Sequence, residues 1–199
     1  MKLKYVGDMP VITKNGVNFD HSRPDKYTYL SGAVELLEAL SYGATETTTH
    51  LYNTSSGHLD GEDIKRILYK YVKNVDALID EQEQKAESYE NELMQRVREN
   101  EYITQDEKTA WLENIKLMKD YFYQYIANQT AYEAALKVLS DEIHEGRIKE
   151  VCVPMFKNYA MVLNDLVETL ERRKAPIDST VKIEQTDDGL TGTLCITHY

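Results

Sequence analysis

Cysteine is nearly absent from this chain, with Cys152 and Cys195 the two present in 199 residues. Two thiols so far apart in sequence are too few for a disulfide scaffold or a thiolate metal site. Each is expected to be a small buried apolar residue. Met1 to Gly16 lacks the apolar stretch of an export leader, and nowhere do about 18 apolar residues follow one another. A cytoplasmic, reducing location is therefore expected. Positive charge is also short: 23 Lys and Arg stand against 34 Asp and Glu, a formal net charge of −11. Nucleic acid and anionic membrane surfaces both require clustered cations, so neither is an expected partner. Proline falls to 4 and glycine to 9, with no Pro-rich linker and no repeat at a fixed period. One domain over residues 1–199 is the reading. Phe and Trp are scarce while Tyr reaches 15, which suits half-buried surfaces where a ring packs and its hydroxyl stays wet.

Catalytic signatures are missing as well. The chain has no Gly-x-Gly-x-x-Gly, P-loop, Gly-x-Ser-x-Gly or His-Glu-x-x-His pattern, so neither a cofactor nor a metal is expected.

What is present is helical pattern. Trp111, Ile115, Met118, Phe122, Tyr125, Gln129, Tyr132, Leu136, Leu139 and Ile143 form a 4-3-4-3 ladder. It predicts one helix about 60 Å long with a seam for a partner helix. Thr104 and Glu107 supply a capping box at its start, and Gly146 its end. Before it, a stripe from Ile64 through Leu68, Tyr71, Val75, Leu78, Gln82, Ala86, Tyr89 and Leu93 to Val97 predicts a second long helix, continuous from Asp60 to about Asn100. The short connection makes the two antiparallel. An N-terminal helix is expected from Asp25, with Leu30, Val34, Leu37 and Leu40 on one face. A shorter third helix of the bundle is expected from Pro154, carrying Met155, Tyr159, Val162, Leu166 and Leu170.

Strands are expected at both chain ends. Asn15-Gly16 between β-favouring runs marks a hairpin with a type I′ turn. Thr180–Thr186 and Thr191–Thr197 flank Asp187-Asp188-Gly189 as a second hairpin, with Val181, Ile183, Leu194 and Ile196 on a buried face. The fold class is α+β, mainly α. It comprises a long antiparallel helical hairpin, a shorter third helix, an N-terminal helix and one small antiparallel sheet built from both terminal hairpins. Residues 1–59 with 175–199 form the β-containing part with one helix. Residues 60–174 form the bundle, whose distal arm is longer than the short helix can cover.

Two functions are consistent with this layout. The first is a non-enzymatic interaction, scaffold or regulatory protein, self-associating as a dimer or docking a partner protein through its long helices. Trp111, Met118, Tyr121, Tyr123, Tyr89 and Leu93 are its candidate interface residues, with Tyr121 and Tyr123 placed off the seam. The second is an enzyme or a small-ligand- or metal-binding protein. Its site would lie between the terminal sheet and the bundle base, drawing on His21, Arg23, His50, His58 and Asp60. Asp141 and His144 share the carboxylate–imidazole spacing of a di-iron ligand pair, but no second pair occurs, and a solvated helix face explains them.

Overall fold

A computed structural model describes residues 9–13, 16–20, 26–41, 61–154, 157–187 and 189–199. In chain order these form β1 (Met9–Thr13), β2 (Gly16–Asp20), α1 (Lys26–Ser41), α2 (Gly61–Tyr71), α3 (Val75–Glu99), α4 (Gln105–His144), β3 (Glu150–Pro154), α5 (Lys157–Arg172), β4 (Ile177–Thr186) and β5 (Gly189–His198). The class is α+β, mainly α, as the periodicities require. The chain divides into two compact units. One contains Met1–Tyr27 and Asn74–Ala131, the other Thr28–Lys73 and Tyr132–Tyr199.

In the first unit, β1 and β2 pair antiparallel from Met9↔Asp20 to Thr13↔Gly16. That register puts Gly16 on the second strand rather than at the centre of a type I′ turn. Its φ of +120° explains why glycine stands there. Lys14 and Asn15 lie outside the described residues.

Helix α3 and the first part of α4 make the expected antiparallel hairpin. Its turn is held by short-range hydrogen bonds. The Tyr102 amide donates to Asn100 Oδ1 at 2.8 Å, and the Thr104 amide donates to Glu107 Oε2 at 2.8 Å. The Glu107 amide donates to Thr104 Oγ1 at 3.3 Å, completing the capping box. Lys108 Nζ donates to the Arg98 carbonyl at 2.8 Å and bridges the two helix ends. Farther along, the Tyr123 hydroxyl donates to Glu90 Oε2 at 3.4 Å, and Lys119 Nζ stands 3.6 Å from the same carboxylate.

In the second unit the sheet order is β3-β5-β4, all antiparallel, so the last strand in sequence is the central one. Helix α5 lies against all three strands. Leu163, Leu166 and Leu170 of α5 are fully buried, as are Leu139 and Ile143 of α4, Ile64, Ile67 and Leu68 of α2, and Leu30 and Leu36 of α1. Arg66 of α2 sits 3.7 Å from Glu38 of α1, and the Tyr29 and Tyr132 rings pack at 5.6 Å between centroids.

Five expectations need correction. The helix expected from Asp60 to Asn100 is two helices. Asn74, at φ 62° and ψ 31°, breaks it, because asparagine tolerates the left-handed conformation that ends one helix before the next begins. Beyond the break Val75 and Ile79 are buried and Leu78 is exposed. The two terminal hairpins do not share a sheet: β1–β2 is separate, and the third strand beside the C-terminal hairpin is β3. Pro154 closes that strand instead of opening a helix. Val181 and Ile183 are 54% and 68% exposed, on a strand that forms the edge of its sheet. Finally, Cys152 and Cys195 are buried as expected, but they are joined by a disulfide.

The long helix keeps its ladder at Ile115, Tyr132, Leu139 and Ile143, all buried. Phe122, Tyr125 and Gln129 between them are half-buried, and Tyr123, Ala127, Ala131 and Ala135 are buried in addition.

Candidate functional site

The hairpin of the first unit carries large side chains in the open. Leu117 and Tyr121, one turn apart on α4, are 72% and 42% exposed, and Tyr89 on α3 is 61% exposed. Tyr102, in the turn, is almost fully exposed. Of the six expected interface residues, Tyr121 and Tyr89 are exposed, whereas Trp111, Met118 and Leu93 are half-buried. Tyr123 is interior. Burial first, and then the Glu90 carboxylate it bonds, push its hydroxyl up to about 12. Lys119 Nζ adds a cation 5.4 Å from the ring centroid. Tyr123 is thus occupied in joining α3 to α4. Leu117 was missed, since it belongs to neither the ladder nor the tyrosine cluster.

A groove of about 480 Å³ lies in the second unit between α4 and α5, lined by Glu133, Leu136, Lys137, Ser140, Asp141, Thr169 and Arg173. Its polar groups largely satisfy one another. Arg173 Nη1 donates to Ser140 Oγ at 2.7 Å and to Asp141 Oδ1 at 2.8 Å, and Lys137 Nζ reaches Asp141 Oδ2 at 2.7 Å. The hydrogen bond from Lys137, helped by that from Arg173, holds the Asp141 carboxyl below its ordinary range. Beside the groove, the Tyr132 hydroxyl donates to Asp165 Oδ2, and burial drives that phenol's pKa upward. Ser140 faces a guanidinium, which cannot take its proton, so this serine is not an activated nucleophile. The network ties α5 to α4.

His144 ends α4, and its Nδ1 is buried without a protein partner; the same holds for Nδ1 of His198. Gly146, at φ +69°, follows α4 in a backbone conformation that favours glycine, and a Cβ there would stand 3.1 Å from His198 Cε1. Asp141 is committed to Lys137 and Arg173, which removes it as a metal ligand alongside His144. Among the described residues, Glu150, Cys152 and Cys195 form the cluster whose ligand atoms converge closely enough for a metal, within 4.8 Å of one another. The ligand-binding candidates His21, Arg23, His50, His58 and Asp60 lie outside the described residues. No helix among the described residues is long and apolar enough to cross a membrane.

Comparison with known proteins supplies the lineage. No curated protein matches the chain. A family model, that of Cag pathogenicity island protein S of Helicobacter pylori (CagS), matches residues 60–183. That span includes α2 to α5, β3 and most of β4, and leaves β1, β2, α1 and β5 outside it. With well over half of its length matched, the chain belongs to the CagS family.

Proposed function

We propose that this protein is a non-enzymatic interaction component that self-associates through the helical hairpin of its first unit. The observation carrying this reading is the exposed apolar surface of Leu117, Tyr121 and Tyr89 on two adjacent helices. Large aromatic and aliphatic groups left in water at helical spacing suit a helix-to-helix interface. Pairing of two such hairpins would bury these groups in a four-helix arrangement. Self-satisfied polar groups in the α4–α5 groove favour this reading over catalysis.

Light scattering across a concentration series tests it. A dimer is expected for the natural chain and a monomer for the Leu117→Glu, Tyr121→Glu double variant. A natural chain that stays monomeric at high concentration removes self-association.

A cytoplasmic location belongs to the same proposal. The Cys152–Cys195 bond points the other way, because reducing compartments keep thiols open. Free-thiol counting on protein trapped with an alkylating reagent inside cells decides between the two.

A further inference from the structure

Cys152 of β3 and Cys195 of β5 are direct cross-strand partners, with Cα atoms 4.1 Å apart. Alternation along a strand puts Glu150 on the same face as Cys152. Lys182, opposite Thr193 on the neighbouring strand, also faces that side. The other face carries Val151, Val153 and Ile196, all buried. Opening the disulfide would not separate the two sulfurs far. The β5 strand is hydrogen-bonded on both sides, and the ladder fixes the positions of both Cα atoms.

We propose that Cys152, Cys195 and Glu150 become, once the disulfide is reduced, a binding site for a thiophilic divalent cation of the zinc class. Both cysteines are buried, and a Glu150 oxygen lies within 4.8 Å of the two sulfurs. Tetrahedral zinc takes thiolate sulfur at about 2.3 Å and carboxylate oxygen at about 2.0–2.2 Å, which such a cluster can span. Two thiolates and a carboxylate sum to three negative charges. A divalent cation and the Lys182 ammonium, 3.8 Å from Glu150 Oε1, supply three positive ones. The two sulfurs are buried, and neutrality lowers the cost of holding charge beside them. Water completes the fourth position. Softness of the sulfur ligands selects zinc over magnesium or calcium.

The chemistry has two steps. A dithiol delivers two electrons and two protons, breaks the S–S bond to leave two thiols and becomes a disulfide; a phosphine does the same with one water, whose oxygen ends in the phosphine oxide and whose protons end on the thiols. Metal binding then forms two metal–sulfur bonds, and both thiol protons leave to solvent. A small-molecule disulfide takes two electrons from the thiolates and two protons from solvent, leaving as two thiols; the S–S bond re-forms and the cation is expelled, so the site holds metal only in the reduced state.

The test uses the full chain, reduced with a phosphine, desalted without oxygen and titrated with Co²⁺, followed by competition with Zn²⁺. Expected are one equivalent bound, the visible absorption of tetrahedral cobalt with a thiolate charge-transfer band, and displacement by Zn²⁺. The oxidised chain should show none of these. Glu150→Gln should lower Co²⁺ affinity by at least about tenfold while leaving the helical circular dichroism unchanged. Cys195→Ser should remove most of the charge-transfer intensity. Absence of the tetrahedral spectrum in the reduced chain, or equal binding by the oxidised chain, overturns the proposal. Unchanged affinity in Glu150→Gln overturns the three-ligand site.

Discussion

Reducing the Cys152–Cys195 bond should lower stability by a calculable amount. The two residues are separated by 43 positions. Chain-entropy reasoning gives about 3 kcal/mol for a 15-residue loop and about 4.7 for one of 100, so this loop should contribute about 4 kcal/mol. With a urea slope of about 2–3 kcal/mol per molar, the midpoint should fall by about 1.3–2 M on reduction. The assay is urea unfolding followed by circular dichroism, with and without a phosphine, in the presence of a chelator so that no bound cation restores stability. Hydrogen exchange at β3 and β5 amides localises the effect. A midpoint shift below about 0.5 M would refute the reasoning, because the unfolded chain would then gain almost no freedom when the bond opens.

Lys174 adopts φ 55° just after α5, where its amide donates to the Glu171 carbonyl and the Ala175 amide to that of Leu170. Glycine is the residue suited to that cap, so Lys174→Gly should be more stable than Lys174→Ala by about 1 kcal/mol in thermal melts. Leu166→Ala removes a fully buried side chain of α5 and should cost about 2–5 kcal/mol by denaturant unfolding. Thr104→Ala removes the hydroxyl half of the capping box, lowering stability by about 1 kcal/mol. The Tyr123 phenol is raised from 10.0 to about 12. Its folded form therefore holds the proton more tightly than the unfolded chain does. Its contribution is complete below pH 10 and lost as pH rises toward 12, a loss that Tyr123→Phe should remove from the urea midpoint profile.

Helix ends and the helical hairpin were legible because their signals are local. Thr104 and Glu107 announce a cap three residues apart, and Gly146 stands where α4 stops. The break at Asn74 was not legible, since Val75 continues the stripe from Tyr71 at four-residue spacing and only a backbone angle reveals the interruption. Nor was β3, whose five residues pair with a strand about 40 positions later. The cysteine bridge depends on that same distant pairing, and so does the metal-ligand cluster. Candidate histidines could be named from chemistry, but position in three dimensions depended on long-range register. On the hairpin, Tyr89 and Tyr121 were identified from their character, and Leu117 was missed because an isolated leucine carries no pattern.

The strand order has a consequence for how this protein is made. Its sheet has β5 in the middle, flanked by β3 and β4, which both leave the ribosome earlier. Neither flank can complete its ladder until residues 189–198 have been synthesised, so β3 waits through all of α5 with its backbone groups unpaired. Helix hairpins mature as they emerge, whereas this sheet assembles in one late event. A truncated chain ending near residue 183, at the limit of the family match, would keep β3 and most of β4 without the strand that both pair with. Shortened versions intended for expression should therefore retain the final strand.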